Sequence, residues 1–136
     1  MKKLCTLLMF LLAVSSFGQI INFPDARLKA KLLHTGTWNA TAYDVNGQPL
    51  IIDANGNGEV EVSEVQNIDY LMVGSNPTDV QDYISDATGL EMFTSLTYLN
   101  ISYTNLTTLN LSGLPMLTTL NCTQDRKSTR LNSSHA

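Results

Sequence analysis

A 21-residue offset organises the second half of this chain. Leu96-Thr97-Tyr98-Leu99-Asn100-Ile101 returns as Leu117-Thr118-Thr119-Leu120-Asn121-Cys122, and Leu106-Thr107-Thr108-Leu109-Asn110-Leu111 stands midway. Self-similarity at a fixed period implies stacked units that bury the same positions in one shared interior. Leu99 and Ile101 alternate as the inward residues of a short strand, with Asn100 outward. Leu106, Leu109 and Leu111 fill the same core from the other side of each coil. Cys122 takes the place of Ile101 and so reads as a small buried apolar residue. A helical reading is poor here. Thr and Asn are frequent, Gly113-Leu114-Pro115 interrupts, and the leucine spacing does not follow a 3.6-residue period. Ile84 to Leu90 reads as a degenerate earlier unit leading into Phe93 and Leu96.

Upstream lies a second pattern, Asp53-Ala54-Asn55-Gly56-Asn57-Gly58-Glu59-Val60-Glu61-Val62-Ser63-Glu64. It fits the twelve-residue EF-hand loop at every informative position. Asp53, Asn55 and Asn57 take positions 1, 3 and 5 and offer side-chain oxygens. Gly58 takes position 6, where the chain turns sharply. Glu59 at position 7 contributes its backbone carbonyl, Glu61 at position 9 binds directly or through water, and Glu64 at position 12 gives two carboxylate oxygens. Calcium is a hard cation that takes six to eight oxygens at ~2.3–2.6 Å, and donors at alternate positions of a curled segment can supply them without distant help. Val60, at position 8, packs inward. The alternative is a polar turn with incidental acids, and Glu64 together with Val60 argues against it. Neutral Asn at positions 3 and 5, and the lack of a second loop, predict a weak structural site with a Kd on the order of 10⁻⁴–10⁻³ M.

Charge agrees with a cation ligand. All twelve acids lie between Asp25 and Asp125, and the only basic residues in that interval are Arg27, Lys29 and Lys31. Such a balance repels nucleic acid and anionic lipid. The remaining basic residues sit at the two ends. Lys2 and Lys3 precede an apolar run from Leu4 to Val14, followed by Ser16 and Gly18, the pattern of an export signal over residues 1–18 cleaved before Gln19. The run is too short for a membrane span, so no span is expected once the signal is removed. Cleavage leaves Cys122 alone and rules out an internal disulfide. Residues 126–136 are basic and polar, resemble translated adapter sequence, and are expected to be a non-native or disordered tail.

Between these features, Asn22 to His34 predicts a short helix. Pro24 lies in its first turn, Asp25 at its positive end, and Leu28, Leu32 and Leu33 on its buried face. Asn46-Gly47 signals a two-residue turn that would pair Tyr43–Val45 with Leu50–Ile52, with Pro49 near an edge. Val62, Val65 and Ile68 recur at helical intervals, and Leu71 and Val73 alternate as in a strand. Trp38 is assigned to packing, and His34 and His135 have no ligand role.

The L-x-x-L-x-L units, Phe23-Pro24-Asp25-Ala26 with Leu28-Lys29-Ala30, and the 53–64 loop together resemble a family of secreted leucine-rich repeat proteins of Bacteroidetes-type bacteria, over residues 21–125. The resemblance implies an α+β fold: a small N-terminal cap (residues 19–73) carrying one EF-hand-like loop, followed by the start of a leucine-rich repeat solenoid (residues 84–125). In that grammar an Asn three residues after the inner strand residue satisfies loop backbone groups, but here Thr104 and Asp125 hold its place. Members also usually carry many more repeats and often a C-terminal sorting domain, and nothing in this chain matches one. The implied function is a non-catalytic binding module, secreted or at the cell surface, taking a protein or glycan ligand on Asn100, Ser102, Asn121 and Thr123. Two alternatives remain open: the front module of a larger secreted enzyme, and a dockerin-like calcium adaptor, which would want two loops. No Ser-His-Asp grouping, zinc spacing or phosphate loop argues for catalysis.

Overall fold

A computed structural model describes residues 18–36, 41–75 and 83–123, and the backbone of 132–133. The expected signal up to Phe17, Trp38, Asp79, Asp82, Asp125, His135 and most of the expected tail lie outside the described residues.

The helix α1 runs Ala26–Leu33. Pro24 lies outside it, because Asp25 is the extended cap residue (φ −84°, ψ 110°). One Asp25 carboxylate oxygen, Oδ1, accepts from the N–H groups of Arg27 (2.9 Å) and Leu28 (3.3 Å). These are donors that a helix start leaves without partners. Leu28 and Leu32 are fully buried and Leu33 partly so. His34 ends the helix by donating its N–H to Ala30 O.

Strands β1 (Ala42–Tyr43) and β2 (Pro49–Leu50) form a hairpin. The turn is longer than two residues. Asp44 N donates to Gln48 O, and Asp44 Oδ1 accepts from the N–H groups of Asn46 and Gln48 at 2.9 Å each. The Asp44 side chain therefore builds the turn, with Gly47 in the left-handed region (φ 76°) that favours glycine. Pro49 lies on the edge strand, where its missing N–H breaks no ladder.

After the short helix α2 (Val62–Val65), strand β3 (Tyr70–Met72) pairs antiparallel with β1 and parallel with β4 (Tyr98–Asn100). Strand β6 (Thr119–Asn121) pairs parallel with β4, giving one five-stranded mixed sheet in the order β2-β1-β3-β4-β6. Strands β5 (Thr108–Leu109) and β7 (Asn132–Ser133) make a separate parallel pair.

This architecture corrects the expected α+β cap followed by a repeat solenoid. The described chain is mainly β, with two short α-helices of eight and four residues and one 3₁₀ turn, Leu90–Met92. Leu71 pairs with Leu99, and Leu99 with Leu120, so hairpin and leucine segments share one sheet. The reason is the alternation at residues 70–73, which turns Leu71 and Val73 into the same interior as Leu99 and Ile101. Leu106, Leu109, Leu111 and Leu114 close that core. At its end Leu117, Leu120 and Cys122 are only partly buried, so Cys122 is a half-covered free thiol and not the fully buried residue expected.

Two polar devices hold the coils. Asn100 Oδ1 accepts from Ser102 N (2.9 Å) and Ser102 Oγ (2.5 Å), and Asn110 with Ser112 and Asn121 with Thr123 repeat the arrangement. These three Asn-x-Ser/Thr triplets are therefore side-chain turns closing strands β4, β5 and β6. Thr104 Oγ1 donates to Ile101 O at 2.9 Å, satisfying a loop carbonyl without the usual Asn.

Asp25 is the long-range clamp. Its second oxygen, Oδ2, accepts from Ser85 N (2.7 Å), Ser85 Oγ (3.2 Å) and Asp86 N (3.1 Å), tying α1 to the segment that leads into the leucine units. Burial pushes this carboxyl up, and the backbone donors of Ser85, Asp86, Leu28 and Arg27 outweigh it, holding the group below its ordinary value of 3.8. A folded-state value below the unfolded one stabilises the fold above pH ~4, and the contribution is lost as pH falls through the lowered value. Asp25→Ala should cost about 3 kcal/mol in urea denaturation at pH 7, from the lost cap plus the stranded donors. The deficit should shrink as pH falls through the lowered value of the native carboxyl. A deficit independent of pH would contradict the clamp.

Candidate metal centre

The 53–64 loop is built from its anchors inward. At its start, buried Thr35 donates its hydroxyl to Leu32 O (2.9 Å) and accepts from Ile52 N (3.0 Å), fastening the residue before Asp53 to the end of α1. At position 7, Glu59 Oε2 pairs with Lys29 Nζ on α1 at 2.7 Å. The Glu59 side chain is thus committed to Lys29, leaving its backbone carbonyl as the candidate donor. At position 8, Val60 is fully buried.

Within the loop the candidate ligands hold one another. Asp53 accepts from Asn57 N and Gly58 N, each at 3.0 Å. Asn55 Oδ1 accepts from Asn57 N (3.0 Å), and Asn57 Oδ1 from Glu59 N (2.8 Å). Glu61, only 2% exposed, accepts from both loop amides, Asn55 Nδ2 at 3.1 Å and Asn57 Nδ2 at 2.6 Å. Glu64 reaches back across the loop. Its Oε1 accepts from Ala54 N (2.9 Å) and Asn55 N (3.3 Å), and its Oε2 from Glu61 N (3.0 Å). The twelfth residue therefore meets the backbone immediately after the first.

The neighbouring Glu64 carboxyl first, and the Asn57 amide second, hold Glu61 below its ordinary value. Burial first, and the contact with Glu61 second, push Glu64 up.

Among the described residues no three His, Cys, Asp or Glu side chains stand together as a metal cluster. The three carboxylates of the expected set, Asp53, Glu61 and Glu64, therefore do not close on one point; with two amides and a backbone carbonyl the set is all oxygen. These donors fit a hard cation, and an amide oxygen that accepts one N–H keeps a second lone pair. The amide N–H groups of Asn55 and Asn57 now compensate Glu61 where a cation would otherwise do so.

The sequence reading overlooked Thr35, Lys29 and the partners of Asp25. A lone Thr or Lys on a helix gives no sign of a partner far along the chain. Of the residues read as the outward face, Ser102 is buried, Asn100 and Asn121 are half-buried beside Met72 on the same sheet face with their oxygens in their own turns, and Thr123 is exposed. The exposed residues of that sheet face are Tyr70, Met72 and Thr119, with Tyr98 half-buried. The rings of Tyr70 and Tyr98 stack at 5.0 Å with 21° between their planes.

The chain matches no known protein family, characterised protein or solved structure. Among the described residues no helix is long and apolar enough to cross a membrane.

Gly58 has φ 79°, and an added Cβ would meet nothing within 4 Å. Only backbone strain opposes a side chain there, so Gly58→Ala should destabilise the metal-free protein by about 1–2 kcal/mol. Urea denaturation in EDTA measures this, and an unchanged midpoint would refute the left-handed turn.

Proposed function

We propose that this chain is a non-catalytic binding module, secreted or at the cell surface, braced by one structural calcium ion and taking a protein or glycan ligand on its open sheet face. The observation that supports the calcium reading is the set of hydrogen bonds linking the 53–64 side chains to one another and to the loop backbone, with Glu64 folded back onto Ala54 and Asn55. Asp53, Asn55, Asn57, Glu61 and Glu64 would hold the ion through side-chain oxygens and Glu59 through its carbonyl. The ion would supply positive charge to carboxylates that otherwise meet side-chain amide and backbone N–H donors.

Two observations support the binding reading. The sheet face carries stacked tyrosines and neutral polar groups on an otherwise acidic chain. Among the described residues Asp25, Asp44, Asp86 and Glu91 all accept backbone N–H groups. Asp86 and Glu91 line a shallow cleft of about 210 Å³, yet each accepts a backbone N–H, from Thr88 (2.8 Å) and Gly89 (2.7 Å), and so builds a turn.

Isothermal calorimetry tests the proposal. The wild-type chain should bind one calcium with a Kd on the order of 10⁻⁴–10⁻³ M. Glu64→Gln, which removes a charge and one carboxylate oxygen, should abolish the heat in that range. Equal heats from both proteins would remove the loop from the account.

A further inference from the structure

EF-hand loops ordinarily brace one another in pairs. This one has no second loop, yet its position 8 is not unpartnered. Residues 19–21 run antiparallel beside residues 60–62. Ile21 N donates to Val60 O at 2.8 Å, Val62 N donates to Gln19 O at 2.9 Å, and Ile20 lies opposite Glu61 in the bridge. The segment is pinned by its own side chains, since Ile21 and Phe23 are buried in the core. It also lies close against the loop, because a Cβ on Gly18 would come within 3.0 Å of Glu61 Cβ and 2.9 Å of Ser63 Oγ.

The two bonds flank Glu61 on either side. Glu61 accepts from both loop asparagines and contacts Glu64, so its backbone placement sets these contacts. Val62 is the first residue of α2, the helix that carries Glu64. We infer that residues 19–21 are the positioning strand of the calcium site, taking the place of a partner loop, and that docking of this segment and calcium binding strengthen each other. This rests on the calcium reading above. The coupling is reciprocal by linkage: whatever orders the segment raises calcium affinity, and calcium in turn protects the segment.

Amide hydrogen exchange on the unaltered full chain, in EDTA and in about 10 mM calcium chloride, tests the coupling without any substitution. The amides of Ile21 and Val62 should slow by about tenfold or more, together with those of Asn57 and Gly58 in the loop. Loop amides that slow while Ile21 and Val62 do not would overturn the inference and leave the calcium site standing. If none slows and calorimetry shows no heat, both fall. A substitution pair then separates backbone pairing from packing. Ile21→Pro removes the donated N–H, whereas Ile21→Val keeps it. Calcium Kd should rise about fivefold or more in the first and stay within about twofold in the second. Equal affinities in a folded Ile21→Pro protein would contradict the positioning role.

Discussion

Leu71, Leu99 and Leu120 lie side by side across three parallel strands, and the register that aligns them governs most of what else the chain does. Side chains alternate with period two along a strand. A one-residue slip would therefore turn these leucines to solvent and bring Tyr70, Tyr98 and Thr119 inward. With the register set, Phe93, Leu96, Leu106 and Leu109 pack from below, and the hairpin, through β1 on β3, joins the same sheet. The loop that carries the candidate metal donors is attached to this core by Val60 and Ile52, both fully buried.

Three polar side chains fasten segments far apart in sequence. Asp25 joins a helix start to Ser85 and Asp86. Thr35 joins a helix end to Ile52, and Lys29 joins the helix to Glu59. All three belong to α1 or its ends. This eight-residue helix, too short to be stable alone, is thus held by packing and gives the loop a fixed frame. The loop is itself shaped by hydrogen bonds among its own residues.

Features with a local signature were legible in the sequence. The offset between Leu99 and Leu120 is the strand pairing itself, and α1 lies within its expected span. The inward residues Leu99, Ile101, Leu106, Leu109 and Leu111 are all buried. The fold class was misread because strands of two or three residues, such as Ala42–Tyr43, carry no measurable period, so the union of hairpin and leucine segments in one sheet left no trace. Asn100 and Asn121 lie on the outward sheet face as alternation implied, but spacing could not reveal that each turns its oxygen onto the hydroxyl two residues later. In the 53–64 segment, spacing picked out side chains that hydrogen-bond to one another but could not reveal that residues 19–21 pair beside them, since that pairing uses only backbone groups.

The central claim is that a divalent ion at the loop stabilises a single packed unit, the sheet included. Thermal unfolding followed by the near-ultraviolet circular dichroism of the tyrosines tests it most directly, because the stacked pair Tyr70–Tyr98 belongs to the sheet and not to the loop. The account predicts one transition, moved up by on the order of 10 °C between EDTA and about 10 mM calcium. A tyrosine signal that melts at the same temperature in both buffers would contradict it.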